Sequence, residues 1–177
     1  MVQAIDILSG HFTAANIDRN FHQNPEELSR FAQVGRARQL ISYDAPGFIR
    51  RMDEIGVDKV LICAILTWSF REQHPLELTH PEEIIEVSDL HPKRLYGLYG
   101  VNPMKAMKGV ARLEQLVKEH RFKGIHIHPH GFNMSPDDAF YFPYYAKCQE
   151  LGVPAVISMG HTLDFMPIEH GRPIHLD

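Results

Sequence analysis

The segment FKGIHIHPHGFNMSPDDAFYFPYYAKCQELGVPAVISMG, residues 122–160, contains the pattern that decides the fold. It opens with FKGIHIHP (122–129), whose alternating isoleucines and histidines predict a strand. Ser135 follows as a helix cap and Gly152 ends the next run, so we predict a helix between them. VPAVISMG (153–160) predicts another strand. A strand, a helix and a strand in this order indicate a parallel βαβ unit.

The same alternation extends towards the amino terminus. Apolar runs predict strands at 3–8, 58–66 and 94–101, and capped periodic segments predict helices at 24–37, 44–56, 80–92 and 104–120. The run DKVLICAIL (58–66) is almost wholly apolar, as expected for a strand covered on both faces of a parallel sheet. Five strands joined by helices therefore predict an α/β protein.

Two α/β architectures fit this order of elements. We predict a (β/α) barrel of the TIM type, because polar side chains stand at the carboxyl ends of the strands, where barrels collect catalytic groups. A doubly wound open sheet is the alternative, although the sequence has neither GxGxxG after the first strand nor GxxxxGK[ST].

The length of the chain bears on how much of a barrel it holds. A full barrel needs about 250 residues. We therefore expect residues 1–177 to form one domain with the first five βα units, incomplete at its carboxyl end. The other interpretation is that a second chain covers the open edges of the sheet.

The composition excludes several classes of function. A net charge of −4 and scattered Lys and Arg residues argue against nucleic-acid binding. No run reaches the length of about 18 apolar residues that a membrane helix needs, and no signal-peptide pattern is present, so we expect a cytoplasmic protein without membrane partners. Cys63 and Cys148 form no CxxC pair and are expected to be buried and reduced.

Two segments carry a resemblance to a known family. HPKRLYGLYGVNP (91–103) and residues 122–160 resemble the amidohydrolase-related family of metal-dependent TIM-barrel hydrolases and decarboxylases, which includes aminocarboxymuconate-semialdehyde decarboxylase. The resemblance covers most of the chain from residue 45 onward. It implies a distorted TIM barrel whose active site often holds one divalent metal ion, commonly zinc.

The family's metal positions are changed in this sequence. Family members usually carry Asp-x-His-x-His at the end of the first strand, whereas DILSG (6–10) keeps the aspartate and has Leu8 and Gly10 in place of the histidines. On the fifth strand, Ser158 replaces the family's histidine. His11 and His161 lie close by in the sequence and are the candidate metal ligands, conditional on loops that bring them to the site.

The histidines of the fourth predicted strand are the candidate catalytic residues. A period of two places His126 and His128 on one face, towards the barrel interior, and the neighbouring isoleucines on the other. Histidine transfers protons near neutral pH, and the resemblance favours a proton-transfer role for His128. The alternative is that both side chains merely fill the interior and hydrogen-bond to neighbours. His130 lies beyond Pro129, in a predicted loop.

Three further residues are candidates for substrate binding. Trp68 and Arg71 follow the second predicted strand, and Arg71 would pair with an anionic substrate. Asn102 follows the third strand and would hydrogen-bond to substrate. Each has a simpler interpretation, because Arg71 is also explained as a solvated loop charge and Asn102 as a turn residue before Pro103.

The resemblance implies metal-assisted hydrolysis or non-oxidative decarboxylation of a small carboxylated or aromatic compound. Dimers are common in the family, so a homodimer is expected by analogy. The changed metal positions keep two alternatives open: a metal-free hydrolase of the same superfamily, and an inactive barrel that serves as a binding or assembly subunit.

Overall fold

A computed structural model of the chain describes residues 4–25, 28–29, 32, 40–69, 73–160 and 166–176. Its strands are β1 (Ala4–Ser9), β2 (Val57–Cys63), β3 (Leu66–Ser69), β4 (His74–Glu77), β5 (Leu95–Gly100), β6 (Phe122–Ile127) and β7 (Ala155–Ile157). Its α-helices are α1 (Ala14–Ile17), α2 (Ala45–Ile55), α3 (Pro81–Leu90), α4 (Ala106–Glu119), α5 (Pro129–Phe132) and α6 (Phe142–Leu151). The segment Asp18–His22 continues α1 as a π-helix.

The main sheet is parallel and has five strands in the order β1-β2-β5-β6-β7. Each strand therefore lies beside the strand that precedes it in the main sheet along the chain. A doubly wound sheet reverses its strand order at a switch point, and this sheet does not. The order confirms the α/β class and the five predicted strands, and it is the order of strands in a (β/α) barrel.

The hydrophobic core lies between this sheet and the helices that connect its strands. Ile125 and Ile127 of β6 are fully buried in it, as are Leu113 and Leu116 of α4. The two leucines recur at helical spacing, so one face of α4 packs on the sheet while its other face meets solvent. This packing fixes the position of β6 and of the residues at its carboxyl end.

The outer strand β1 differs from the central strands. Ile5, Ile7 and Leu8 expose 53%, 59% and 46% of their surface, whereas β6 is largely buried. Within the described residues, β1 is an outer strand of the main sheet and pairs with β2 on one side. The backbone groups on its other side therefore form an edge that can pair with further chain.

Part of the predicted secondary structure is wrong between residues 135 and 141. The helix predicted to begin at Ser135 begins at Phe142, although it ends at Gly152 as predicted. The N–H of Asp138 donates to the Ser135 carbonyl, and the N–H of Phe140 donates to the Asp138 carboxylate, both at 3.0 Å. Because these bonds close successive turns, the helix begins seven residues later than predicted.

The segment after β2 also differs from the prediction. The strand predicted over 58–66 ends at Cys63, and a separate antiparallel pair, β3 and β4, follows. Trp68, predicted to lie in a loop, is in β3 opposite Pro75. The helix predicted at 24–37 lies largely outside the described residues.

The start of α2 provides a test of the local sequence signals. The Asp44 side chain accepts a hydrogen bond from the Gly47 N–H at 2.8 Å, as the predicted cap should. We expect Asp44→Ala to lower the free energy of unfolding by about 1 kcal/mol in urea titrations, because one N–H loses its partner. The exposed Glu54→Ala is the control and should change it by less than about 0.5 kcal/mol; equal effects would contradict a capping role.

Candidate functional site

His126 lies at the carboxyl end of β6 and faces the end of the neighbouring strand β7. Its Nε2 atom is 2.8 Å from Oγ of Ser158, and only 5% of the residue is exposed. Burial lowers the pKa of His126 to about 4. The imidazole is therefore uncharged at neutral pH and keeps one ring nitrogen free of a proton.

The two faces of β6 differ as the sequence predicts. Ile125 and Ile127 belong to the hydrophobic core, whereas the side chain of His126, between them, takes part in a polar contact. The alternation follows from the period of two of a strand. It places His126 at the carboxyl ends of the parallel strands, where α/β barrel enzymes bind their ligands.

Three imidazoles form a row from the end of β6. The ring centroids of His126 and His128 are 6.1 Å apart, and those of His128 and His130 are 5.4 Å apart. His130, predicted in a loop, lies in the short helix α5. Its Nε2–H donates to the carbonyl of Gly160 at 2.9 Å, so the row is attached to the segment after β7.

A glycine allows this attachment. A Cβ atom on Gly171 would lie 1.8 Å from Nε2 of His130, so only glycine lets the turn at Glu169–Gly171 approach the ring. The N–H of Gly160 donates to the carbonyl of Gly171 at 2.6 Å. The segment after β7 is therefore held both by His130 and by this turn.

His11, predicted as a metal ligand, is buried just after β1. Its Nε2–H donates to the carbonyl of Glu83 at 3.3 Å, and its Nδ1 accepts from the N–H of Thr13 at 3.4 Å. Burial, its largest cause, lowers the pKa of His11. Both ring nitrogens thus already have protein partners, and the ring is directed towards α3.

The described residues do not fit a complete metal centre. They contain no group of three or more His, Cys, Asp or Glu side chains placed to hold an ion. Leu8 is an apolar side chain, Gly10 has none, and Ser158 is paired with His126. His161, the second predicted ligand, lies outside the described residues, so its role stays a prediction.

The predicted substrate-binding residues are found in different settings. Asn102 is 7% exposed and its side-chain oxygen accepts from the N–H of Met104 at 2.9 Å, which is the turn interpretation. Trp68 is half-buried in β3. Arg71 lies outside the described residues, so its role stays a prediction.

A cavity of about 340 Å³ opens near the carboxyl ends of β1 and β2. Gly10, which follows β1, and Ile65, which follows β2, both line it. Its walls are mostly apolar and include the aromatic side chains of Phe12, Tyr43 and Phe48. Phe12 and Phe48 stack with ring centroids 4.0 Å apart. A wall of this kind accommodates an aromatic or aliphatic group. The sequence patterns did not predict this cavity.

Sequence reasoning also missed the role of Ser158. In the sequence Ser158 stands where the family has a histidine, whereas the structure shows it bonded to His126, 32 positions earlier in the chain. The strand register explains the contact, because His126 pairs with Val156 and Ile127 with Ile157. Ser158 follows β7 directly and lies two residues after Val156, so it reaches the face of His126.

Comparison with known families gives one match. A family model described as amidohydrolase matches residues 69–177. No curated protein sequence matches the chain.

Solved structures share the fold. The 5-carboxyvanillate decarboxylase of Novosphingobium aromaticivorans, solved with bound manganese, is 18% identical with a TM-score of 0.63, covering 92% of this chain and 52% of that chain. The 2,6-dihydroxybenzoate decarboxylase of Rhizobium is 14% identical with a TM-score of 0.60, covering 93% and 52%. A TIM-barrel protein of Bordetella bronchiseptica is 14% identical with a TM-score of 0.68, covering 99% and 61%.

The chain thus spans about half the length of the two decarboxylases. At these identities the likeness concerns the fold. It shows that the five parallel strands are part of a TIM-type barrel, as predicted.

Proposed function

This chain belongs to the amidohydrolase family, and on that premise we propose that the protein catalyses the non-oxidative decarboxylation of a small aromatic carboxylic acid. The observation that carries the proposal is the uncharged His126 beside His128 at the carboxyl end of β6. The decarboxylase structures with the same fold support the class of substrate.

Proton transfer is the step that these histidines suit. Decarboxylation of an aromatic acid adds a proton to the ring carbon that bears the carboxylate. The bond to the carboxylate carbon then breaks, its electron pair returns to the ring, and CO2 leaves. We assign the delivery of this proton to His128. His126 is then a neutral hydrogen-bonding partner at the same end of β6. Trp68, Arg71 and Asn102 stay proposed substrate-binding residues.

A divalent metal ion belongs to the proposal through the family alone. The family resemblance implies zinc, and one of the decarboxylase structures holds manganese. The described residues do not supply a ligand set. His11 and His161 stay proposed ligands, and His11 would have to give up its contact with Glu83 or with Thr13 to bind an ion. We therefore derive no step through a metal ion. Elemental analysis of the purified protein identifies the ion directly.

The proposal concerns the whole protein rather than the described residues alone. We propose that residues 1–177 belong to one barrel domain and that further strands pair with the exposed edge of β1. The homodimer also stays a proposal, which light scattering tests.

No helix within the part of the chain that the structure describes could cross a bilayer. Cytoplasmic location remains part of the proposal.

The test measures CO2 release from a panel of hydroxybenzoic acids by the full-length protein, with zinc or manganese added. We expect turnover, and incorporation of one solvent deuteron into the product ring in D2O. His128→Gln and His126→Gln should each lower kcat at least about tenfold, because positioned proton transfer supplies about 10² or more. The control is His22→Gln, whose ring lies on the surface beside Asp18. A folded, metal-loaded protein without turnover would contradict the proposal and favour a binding subunit.

A further inference from the structure

The contact between Ser158 and His126 suggests a chemistry that decarboxylation does not need. A serine hydroxyl within hydrogen-bonding distance of an uncharged imidazole is the arrangement that activates a nucleophile. We infer that Ser158 is a nucleophile with His126 as its general base, and that the protein transfers acyl groups from small carboxylic esters through this pair. The inference does not depend on the proposed decarboxylation, which requires no nucleophilic side chain.

The distance between the two side chains is the first support. Ser158 Oγ and His126 Nε2 are 2.8 Å apart, within the range of a direct O–H···N hydrogen bond. The two strands fix this distance, because the N–H of Ser158 donates to the carbonyl of Ile127 at 3.0 Å. The main chains of β6 and of the segment that carries Ser158 are thus joined directly at the end of the parallel ladder.

The backbone after Ser158 is the second support. Gly160 accepts from His130 at 2.9 Å and donates to Gly171 at 2.6 Å, as described above. Gly160 has a φ of +95°, a backbone conformation that residues with a side chain rarely adopt. The chain therefore turns sharply two residues after Ser158. Ser158 therefore stands at a strand end that is fixed before any ligand arrives, which is what a nucleophile needs.

The alternative is that Ser158 only provides the buried imidazole of His126 with a hydrogen-bond partner. The surroundings of the two side chains favour the nucleophile instead. His126 is almost completely buried, whereas Ser158 is only partly buried, so Ser158 is the more exposed member of the pair. Burial lowers the pKa of His126, so the ring is uncharged at neutral pH and can accept a hydrogen bond from the hydroxyl. On the other side of His126, its partner in β5 is Gly100, which has no side chain to compete for the ring.

The proposed reaction balances without any further reagent except water. Oγ of Ser158 forms a bond to the ester carbonyl carbon, and its proton moves to Nε2 of His126. The bond to the leaving alcohol oxygen then breaks, and His126 returns the proton to that oxygen. Water attacks the acyl-Ser158 ester with His126 again as base, which releases the carboxylic acid and restores the hydroxyl.

The experiment uses a fluorophosphonate probe on the folded full-length protein, with mass spectrometry to locate the adduct. The serine oxygen forms the bond to phosphorus, fluoride leaves, and no substrate needs to be known. We expect one adduct per chain, on Ser158. The adduct should be absent in Ser158→Ala and form at least tenfold more slowly in His126→Gln, whereas His22→Gln should label like the wild type. No adduct on Ser158 in the folded wild type, or unchanged labelling in His126→Gln, would overturn the inference.

A second variant covers the case in which His126→Gln does not fold. The thiol introduced by Ser158→Cys should react with iodoacetamide at least tenfold faster than a thiol introduced by Ser9→Cys, because an imidazole next to a thiol favours the thiolate. Ser9 is partly buried, as Ser158 is, but its hydroxyl donates to the carbonyl of Gly10. Equal reactivity of the two introduced thiols would also overturn the inference. CO2 release without labelling leaves the proposed decarboxylation intact and removes this nucleophile. Labelling without CO2 release would support the nucleophile and contradict the proposed decarboxylation.

Discussion

Replacing Gly100 with alanine is expected to destabilise the protein by about 3 kcal/mol, a large part of the total stability of a typical domain. A Cβ atom at this position would lie 1.8 Å from the carbonyl oxygen of Ala64 and 2.9 Å from its carbon. Both atoms belong to the backbone, so no rotation of a side chain relieves the overlap. The strand itself must move.

The overlap lies in the middle of the sheet. Ala64 follows β2, and its N–H donates to the carbonyl of Leu98 in β5 at 2.9 Å, so the two backbones are joined there. Gly100 pairs with His126 on its other side. Displacement of β5 therefore disturbs both the sheet and the candidate site, and we expect Gly100→Ala to lose labelling of Ser158 as well.

Urea titration of the fluorescence of Trp68, the one tryptophan in the chain, measures the change. Gly10→Ala is the matched control, because a Cβ atom there meets nothing within 4 Å. It should leave the free energy of unfolding unchanged or raise it by about 0.4–1 kcal/mol, since alanine restricts the unfolded chain. Similar midpoints for the two variants would show that β5 can move away from Ala64 at little cost.

The fold was predictable because its signals are local. Asp44 caps α2, Gly56 and Gly152 end helices in the left-handed conformation, and the apolar run of β2 marks a strand covered on both faces. Each of these features depends on a few neighbouring residues. The class of the sheet follows from their order along the chain.

The error at Ser135 arose where two local signals compete. Ser135 followed by Pro136 is typical of a helix start, but Pro143 would then fall inside the helix, where proline breaks the hydrogen-bond ladder. The structure resolves the conflict by starting α6 at Phe142, so that Pro143 stands in its first turn. Giving Pro143 more weight would have placed the boundary correctly.

The candidate site was only partly predictable, because it depends on contacts between distant residues. The period of β6 placed His126 on the polar face, but its bond to Ser158 depends on the register of β6 against β7. Likewise, sequence spacing brought His11 near the first strand end. It did not show that Glu83, 72 positions later, holds the ring towards α3.

The charge of Glu83 should contribute about 2 kcal/mol to the free energy of unfolding, so Glu83→Gln should lower that free energy by about this amount. Its carboxylate accepts from both terminal nitrogens of Arg19, at 3.0 and 2.8 Å, and from the N–H of His80 at 2.9 Å. These bonds tie the segment after β1 to the start of α3. Glutamine keeps the shape of the side chain but removes the charge that Arg19 pairs with.

The control for this substitution is Glu82→Gln. Both glutamates lie in the first turn of α3, so both substitutions remove the same favourable charge from the positive end of the helix. The Glu82 side chain is 64% exposed and its partner is Arg112, so its loss should cost less than about 0.5 kcal/mol. The difference between the two variants isolates the contacts of Glu83 with Arg19, His80 and Asn16.

The contribution of Glu83 should depend on pH in a defined direction. Burial alone would raise the pKa of Glu83, but hydrogen bonds from Arg19, His80 and Asn16 outweigh it and lower the pKa to about 2. A carboxylate whose pKa is lower when folded stabilises the protein fully above its unfolded value, about 4.3. That stabilisation is lost as the pH falls from there towards 2.

The full shift would correspond to about 3 kcal/mol, which we reduce to about 2 because the Arg19 side chain is 41% exposed and water screens the pair. Urea titrations of wild type and Glu83→Gln between pH 8 and pH 3 measure the difference. We expect it to stay constant from pH 8 to about pH 5 and to shrink below that. A difference that does not change down to pH 3 would mean that packing, rather than the charge of Glu83, holds the segment after β1 against α3.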